Sequence, residues 1–195
     1  MTTRSLAWLL VLLPAVVSFS PRAALREVEA ANAGLVLRHG VLIWFGVPFT
    51  GAVVDRDSTG SLVRSMTEYH AGLRDGSAQA WYANGQLAYE RTYRRGKEEG
   101  EHRGWWPDGT PHFVYHYRDG LTEGTAREWF PSGLLYREFH YRAGQEEGSE
   151  QMWYADGKLR ANYVVKHGRR FGLPGVKGCD GRDSGRGARD RGKSP

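Results

Sequence analysis

Glycine returns along this chain every 24 residues, in three parallel columns. The first is Gly72, Gly96, Gly120, Gly144 and Gly168; the second is Gly76, Gly100, Gly124, Gly148 and Gly172; the third is Gly85, Gly109, Gly133 and Gly157. Between the second and third columns stands an aromatic pair: Trp81-Tyr82, Trp105-Trp106, Trp129-Phe130 and Trp153-Tyr154. A period of this length means stacked supersecondary units, none of which can bury its apolar face alone. It favours a binding or scaffolding array over an enzyme, because a catalytic constellation seldom recurs in every unit.

The dipeptides Asn84-Gly85, Asp108-Gly109, Ser132-Gly133 and Asp156-Gly157 lie between short aromatic-rich runs, the pattern of a two-residue hairpin turn with positive φ. A second turn, through Arg95-Gly96-Lys97 and its equivalents, joins each unit to the next. If Tyr93 then faces Gly100, Tyr69 lies over Gly76, Tyr117 over Gly124 and Tyr141 over Gly148, each ring covering bare backbone. The same register sets Arg94 opposite Glu99, Arg118 opposite Glu123, Arg142 opposite Glu147 and His70 opposite Asp75, pairs worth about 0.2–1 kcal/mol each.

Strand alternation sorts the side chains onto two faces. One carries Tyr82, Leu87, Tyr89 and Tyr93 with their equivalents, and is expected to be the buried one. The other carries the tryptophan column among charges such as Glu90, Arg94, His116, Glu138 and His140. The expectation is all-β: an elongated single antiparallel sheet of stacked hairpins, with ten strands giving a ribbon about 45 Å long.

These columns, a G-x-x-x-G with an aromatic pair, a turn ending in glycine, then Leu and Tyr positions before the next glycine, resemble the MORN repeat, and more particularly its bacterial variant. The resemblance covers roughly residues 46–172. It implies hairpins stacked into an elongated sheet with no catalytic residues. Many bacterial relatives carry an antitoxin label, and eukaryotic ones are associated with membrane lipids and protein scaffolding.

Four zones follow. Residues 1–20 read as a signal peptide or N-terminal anchor: Arg4, then an apolar run from Leu6 to Phe19, shorter than the roughly 20 residues a spanning helix needs. No cysteine follows that run, which argues against a lipid-modified N-terminus. Residues 21–45 form a linker or cap, with a short helix or linker over 21–33. Residues 46–172 are the repeat domain; its degenerate first unit replaces the aromatic pair by Arg56 and Asp57, as capping units do. Residues 173–195 are a basic tail expected to be disordered.

The charge is concentrated in that tail. Of the net +5, residues 169–195 supply eight basic against three acidic side chains, leaving 19 against 19 before them. The high pI therefore does not argue for a nucleic-acid-binding domain. The lone Cys179 has no partner for an internal disulfide.

The candidate binding residues are Trp81, Trp105, Trp129 and Trp153, with Arg94, Arg118 and Arg142 on the same face. Indoles at a fixed rise beside guanidinium groups could grip an extended peptide, a glycan or an acidic polymer; the same column also suits sheet packing alone. No catalytic residue, metal site or cofactor is expected. His116 and His140 share a column but sit two strands, about 10 Å, apart, too far to ligate one ion. Phosphate-loop, zinc-protease and nucleophile-elbow motifs are absent from the sequence. The leading expectation is an exported, non-enzymatic interaction scaffold of the bacterial envelope with a protein partner. The alternatives are an antitoxin-like inhibitor of a partner protein and a phospholipid-binding module that uses the basic tail on an anionic membrane.

Overall fold

The computed structural model describes residues 25–173. The apolar run at 6–19, the tail beyond residue 173 and Cys179 lie outside them. The described residues are all-β. Fifteen strands join one sheet whose main path runs in near-sequential order from Glu27–Glu29 to Arg169–Leu173. It is an open ribbon of stacked hairpins. Two features enlarge the expected plan: Glu27–Glu29, in the stretch read as helix or linker, pairs parallel with Gly51–Arg56 at one edge, and Leu35–Arg38, Val41–Trp44 and Val47–Pro48 form a separate three-stranded sheet.

Each full unit is one long hairpin with small residues on the first strand and large ones on the second. Gly76, Ala78 and Ala80 pair with Tyr93, Arg91 and Tyr89. In the next unit Gly100, His102 and Gly104 pair with Tyr117, Tyr115 and Phe113, then Gly124, Ala126 and Glu128 with Tyr141, Phe139 and Arg137. Cross-strand neighbours stand about 5 Å apart, so most large side chains face a small one, while His102 and Glu128 are the larger exceptions on the first strand. At Gly104 an added Cβ would lie 2.1 Å from the Phe113 ring.

The two turn types exchange the roles assigned from sequence. Two-residue turns with positive φ at both positions join the repeats at Ala71-Gly72, Arg95-Gly96, Asp119-Gly120, Ala143-Gly144 and His167-Gly168, and close the small sheet at His39-Gly40 and Phe45-Gly46. These are type I′. The Asn-Gly and Asp-Gly turns are three-residue loops, in which Gly85 N–H donates to Tyr82 O at 2.9 Å and Tyr82 N–H to Gln86 O at 2.9 Å. Only the glycine is left-handed there, while Asn84 and Asp108 accept the N–H two residues on, which is why an Asx residue suits the site.

The expected inter-repeat register holds along the strand bodies, where Arg103 pairs with Glu90 and Gly104 with Tyr89, and fails near the turn. Closing the chain on two residues pairs Tyr93 with Glu98 and Arg94 with Lys97, so Glu99 and Gly100 are pushed out as a bulge. Arg118 likewise pairs with Leu121, Arg142 with Gln145 and His70 with Leu73. The expected Arg94–Glu99, Arg118–Glu123, Arg142–Glu147 and His70–Asp75 cross-strand pairs are therefore not formed. Nor do tyrosine rings cover the second glycine column, since a Cβ at Gly100 or Gly124 would meet no atom within 4 Å. Those two glycines are required by φ values of 73°, which side chains with a Cβ rarely adopt.

The bulge gives the acidic column its task. Asp75 accepts the N–H of Arg95 at 3.2 Å, Glu99 that of Asp119 at 3.1 Å, and Glu123 that of Ala143 at 2.9 Å. The second N–H of each turn goes to a carbonyl of the same preceding unit, as in Gly120 to Glu98 and Gly144 to Thr122, both 2.9 Å. The turns at Arg95-Gly96, Asp119-Gly120 and Ala143-Gly144 are thus held by the unit before them. We expect Glu123→Ala to cost about 1 kcal/mol, lowering the melting temperature by a few degrees, with Glu123→Gln intermediate. A melting curve for Glu123→Ala that overlays the wild type would show that this cap contributes nothing.

Candidate functional site

The tryptophans stand at the ends of the small-residue strands, where the hairpin ladder slips by one residue: Trp81 pairs with Leu87, Trp105 with Pro111, Trp129 with Leu135 and Trp153 with Leu159. All four are half-buried. Their backbone carbonyls tie neighbouring units together: Tyr82 Oη donates to Trp105 O at 3.0 Å, and Trp106 Nε1 to Trp129 O at 3.1 Å.

Arg94, Arg118 and Arg142 are exposed at the opposite end of the strands, one residue before the type I′ turns. Alternation keeps them on the tryptophan face. Seven residues separate Leu87 from Arg94, so at about 3.3 Å per residue the two columns run about 20 Å apart. The tryptophans and arginines therefore form two parallel rails and do not converge on one grip. Arg94 instead lines an open cleft of about 530 Å³ with Asp75, Lys97, Glu99 and Asp119.

The face expected to be buried is only partly so. No second layer packs on it among the described residues: Tyr93 and Phe139 are buried, whereas Tyr89, Phe113, Tyr115 and Tyr117 are half-buried. Polar groups unforeseen from sequence stand among these rings. Arg137 reaches both Glu128 and the Tyr115 hydroxyl, the latter at 3.0 Å, while that hydroxyl donates to the same carboxylate. Burial, reinforced by Glu128, pushes the Tyr115 phenol well above its ordinary pKa. Arg91 lies 4.4 Å from the centroid of Tyr89 and 6.0 Å from that of Phe113.

His102 and Glu150 occupy the column whose other members are Ala78 and Ala126, and both are buried. His102 Nε2 donates to Thr92 O at 2.9 Å, and burial holds its pKa below the usual value, so the neutral ring packs between Tyr93 and Tyr117. Glu150 is wholly enclosed. Both its oxygens face the His140 N–H at 3.2 Å, and burial raises its pKa to about 7. The legible sign was a polar residue in a column otherwise held by alanine. His116 faces Glu101 at 3.0 Å and His140 Nδ1 contacts Ser149 O at 2.5 Å. Among the described residues no three His, Cys, Asp or Glu side chains gather as a metal site would require.

These features define a class: an open β-hairpin repeat ribbon whose side chains line two incompletely covered faces. Residues 74–95 match the family model of the MORN repeat variant. That segment spans the first full hairpin, and the same turns, bulges and glycines recur in the units after it. No curated protein matches the chain.

Glu150 makes stability depend on pH. An acid whose folded pKa is raised favours the fold while protonated; that advantage is complete below the ordinary value of 4.5 and is lost as pH rises to about 7. Glu150→Gln keeps the acceptor for His140 without the charge. Thermal melts should place it above wild type at pH 8, by on the order of 2–3 kcal/mol, with the gap closing toward pH 4. A gap that does not change with pH would contradict a buried carboxylate at this position.

Proposed function

We propose that this protein is a non-enzymatic interaction scaffold, exported to the bacterial envelope, which binds an extended stretch of a protein partner along its ribbon. The observation that supports this most is that, among the described residues, no second layer lies over the repeats: aromatic side chains stay half-exposed at the same place in unit after unit. A scaffold needs that geometry, since a partner segment lying across the strands meets equivalent contacts about every 10 Å, two strand spacings apart. Arg169–Leu173 is the last strand of the sheet among the described residues, and with Phe171 and Leu173 exposed it offers a second mode, in which an incoming strand extends the sheet. Rings that are partly wet before binding and desolvated after it are the usual source of interface energy.

The tryptophan rail is the expected contact face. Capture of partners from a native envelope fraction should fall at least about tenfold for a Trp105→Ala/Trp129→Ala pair, and should be little changed by Arg94→Ala/Arg118→Ala, which alters the distant rail. Equal capture by wild type and the tryptophan pair would move the contact to the Tyr115–Arg137 face or the end strand.

Export is motivated by Arg4 and the apolar run from Leu6 to Phe19. Residues 1–40 fused to a reporter active only outside the cytoplasm should score positive. A silent fusion, with the protein in the cytosolic fraction, would favour an antitoxin-like inhibitor acting inside the cell.

A further inference from the structure

In the full units the residue after each repeat tryptophan is an aromatic ring: Tyr82, Trp106, Phe130 and Tyr154. Each opens a turn in which its carbonyl accepts the glycine N–H, as Gly85 N–H donates to Tyr82 O and Gly109 N–H to Trp106 O, both at 2.9 Å. In the degenerate first unit the same bond runs from Gly60 N–H to Asp57 O at 2.9 Å, so Asp57 stands where the others carry a ring. Its carboxylate folds back on its own loop, accepting the N–H of Ser61 at 3.0 Å, that of Leu62 at 3.2 Å and the Thr59 hydroxyl. A cleft of about 550 Å³ is left there, and Asp57, Ser58, Leu62, Arg64, Trp81 and Tyr82 line it.

Two features of the following units show what such a place receives. Where the ring carries a donor and another tryptophan follows, it hydrogen-bonds that tryptophan's carbonyl: Tyr82 Oη to Trp105 O at 3.0 Å and Trp106 Nε1 to Trp129 O at 3.1 Å. Trp81 O receives no such donor, because the Asp57 carboxylate is an acceptor turned to its own loop. The second feature is the residue that the hairpin ladder skips at its slip, which lies against the ring. The His112 ring is 3.8 Å from Trp106 and the Tyr136 ring 5.0 Å from Phe130, centroid to centroid, and the Arg160 guanidinium is 5.7 Å from the Tyr154 centroid. In the next full unit the skipped residue is Ala88, too small to do this. In the first unit the skipped residue is Arg64. It is exposed, lines the cleft and has no ring in its own unit to lie against.

We infer that this cleft is a docking slot for one aromatic side chain of a protein partner, a tyrosine or tryptophan. Its ring takes the place that Asp57 leaves open, its hydroxyl or indole N–H donates to Trp81 O, and the Arg64 guanidinium closes over it. The partner thereby supplies in trans what each later unit supplies to the next. Selection follows from the same groups: a leucine offers Arg64 no π face, and a phenylalanine brings no donor to the carbonyl. A single ring seated in a pocket is the kind of anchor that dominates an interface. The inference rests on the scaffold reading and adds the point at which a bound segment is registered on the ribbon, the unit that lacks its own ring.

The test titrates the full chain, labelled with nitrogen-15, with acetyl-glycyl-tyrosyl-glycinamide. The amide signals of Ser58, Tyr82 and Ala83 should shift and saturate, while those of Trp106 and Phe130 stay in place. The phenylalanine analogue should bind about fivefold more weakly for want of the donor, and the leucine analogue should not saturate. Asp57→Tyr, which puts the missing ring back into the chain, should abolish the response. Arg64→Ala, at an exposed position, should weaken the tyrosine probe about threefold and decides the matter if loss of the Asp57 loop bonds unfolds the other variant. The inference is overturned if the leucine and tyrosine probes act alike, if the later-unit amides shift as much, if Arg64→Ala binds the probe like wild type, or if a ring of the chain itself already contacts Trp81 in the free protein. Partner capture that falls for Trp105→Ala/Trp129→Ala but is untouched by Asp57→Tyr and Arg64→Ala removes the slot and leaves the scaffold. Saturable probe binding by a protein that captures no partner removes the scaffold and leaves the slot.

Discussion

Among the described residues no layer lies over the repeats, so each hairpin has to cover itself, and the pairing of a mostly small-residue strand with a large-residue strand is the constraint on which the rest depends. Phe113 occupies the space Gly104 leaves, Tyr115 stands across from His102, and Phe139 across from Ala126. Along the strand bodies of the full units, a pair that is large on both strands is polar on at least one side, as at His102–Tyr115, Glu128–Arg137 and Glu150–Tyr163; a small residue on both would leave the backbone bare. The alternation also limits what the ribbon can hide, so most of the rings remain half-buried.

Stacking such hairpins needs a second device, because side-chain contact across one sheet does not by itself fix the distance between units. The type I′ turns provide it. Their two outward N–H groups would be unpaired in an isolated hairpin, but at Arg95-Gly96, Asp119-Gly120 and Ala143-Gly144 each pair is taken up by a carboxylate and a carbonyl of the preceding unit. The bulge at Glu99-Gly100 and its equivalents brings the carboxylate into range, and the left-handed glycine makes the bulge possible. On the opposite edge, Tyr82 and Trp106 reach the next unit's tryptophan carbonyl. Both edges are thereby tied, and the central strands are free to vary, which is how Glu150, His102, Arg91 and Arg137 come to stand where neighbouring units carry alanine or aromatic residues.

The two rails of the candidate site show how far pattern reading reaches. Alternation places Trp81 and Arg94 on one face, and that much needs only the strand period. Their separation does not follow from alternation, because it depends on how long the hairpin runs before it turns. Likewise the Arg–Glu ladder was a fair inference from charges at constant offset. It failed because turn length outweighs charge pairing: a two-residue type I′ closure follows the natural twist of the hairpin, whereas an exposed ion pair adds only tenths of a kcal/mol.

Repeat length, all-β class and strand order are written in the residues themselves, since glycine columns and a strict 24-residue period admit only one stacking register along the strand bodies. Where the polar groups go is settled in the folded ribbon: which turn takes positive φ at two residues, which N–H groups the acidic column caps, and that Glu150 is enclosed while Leu37 and Phe45 are not. Periodicity specifies which residues are equivalent. Burial is set by what lies across the next strand or beyond the end of the sheet, and those neighbours come together only when the ribbon folds.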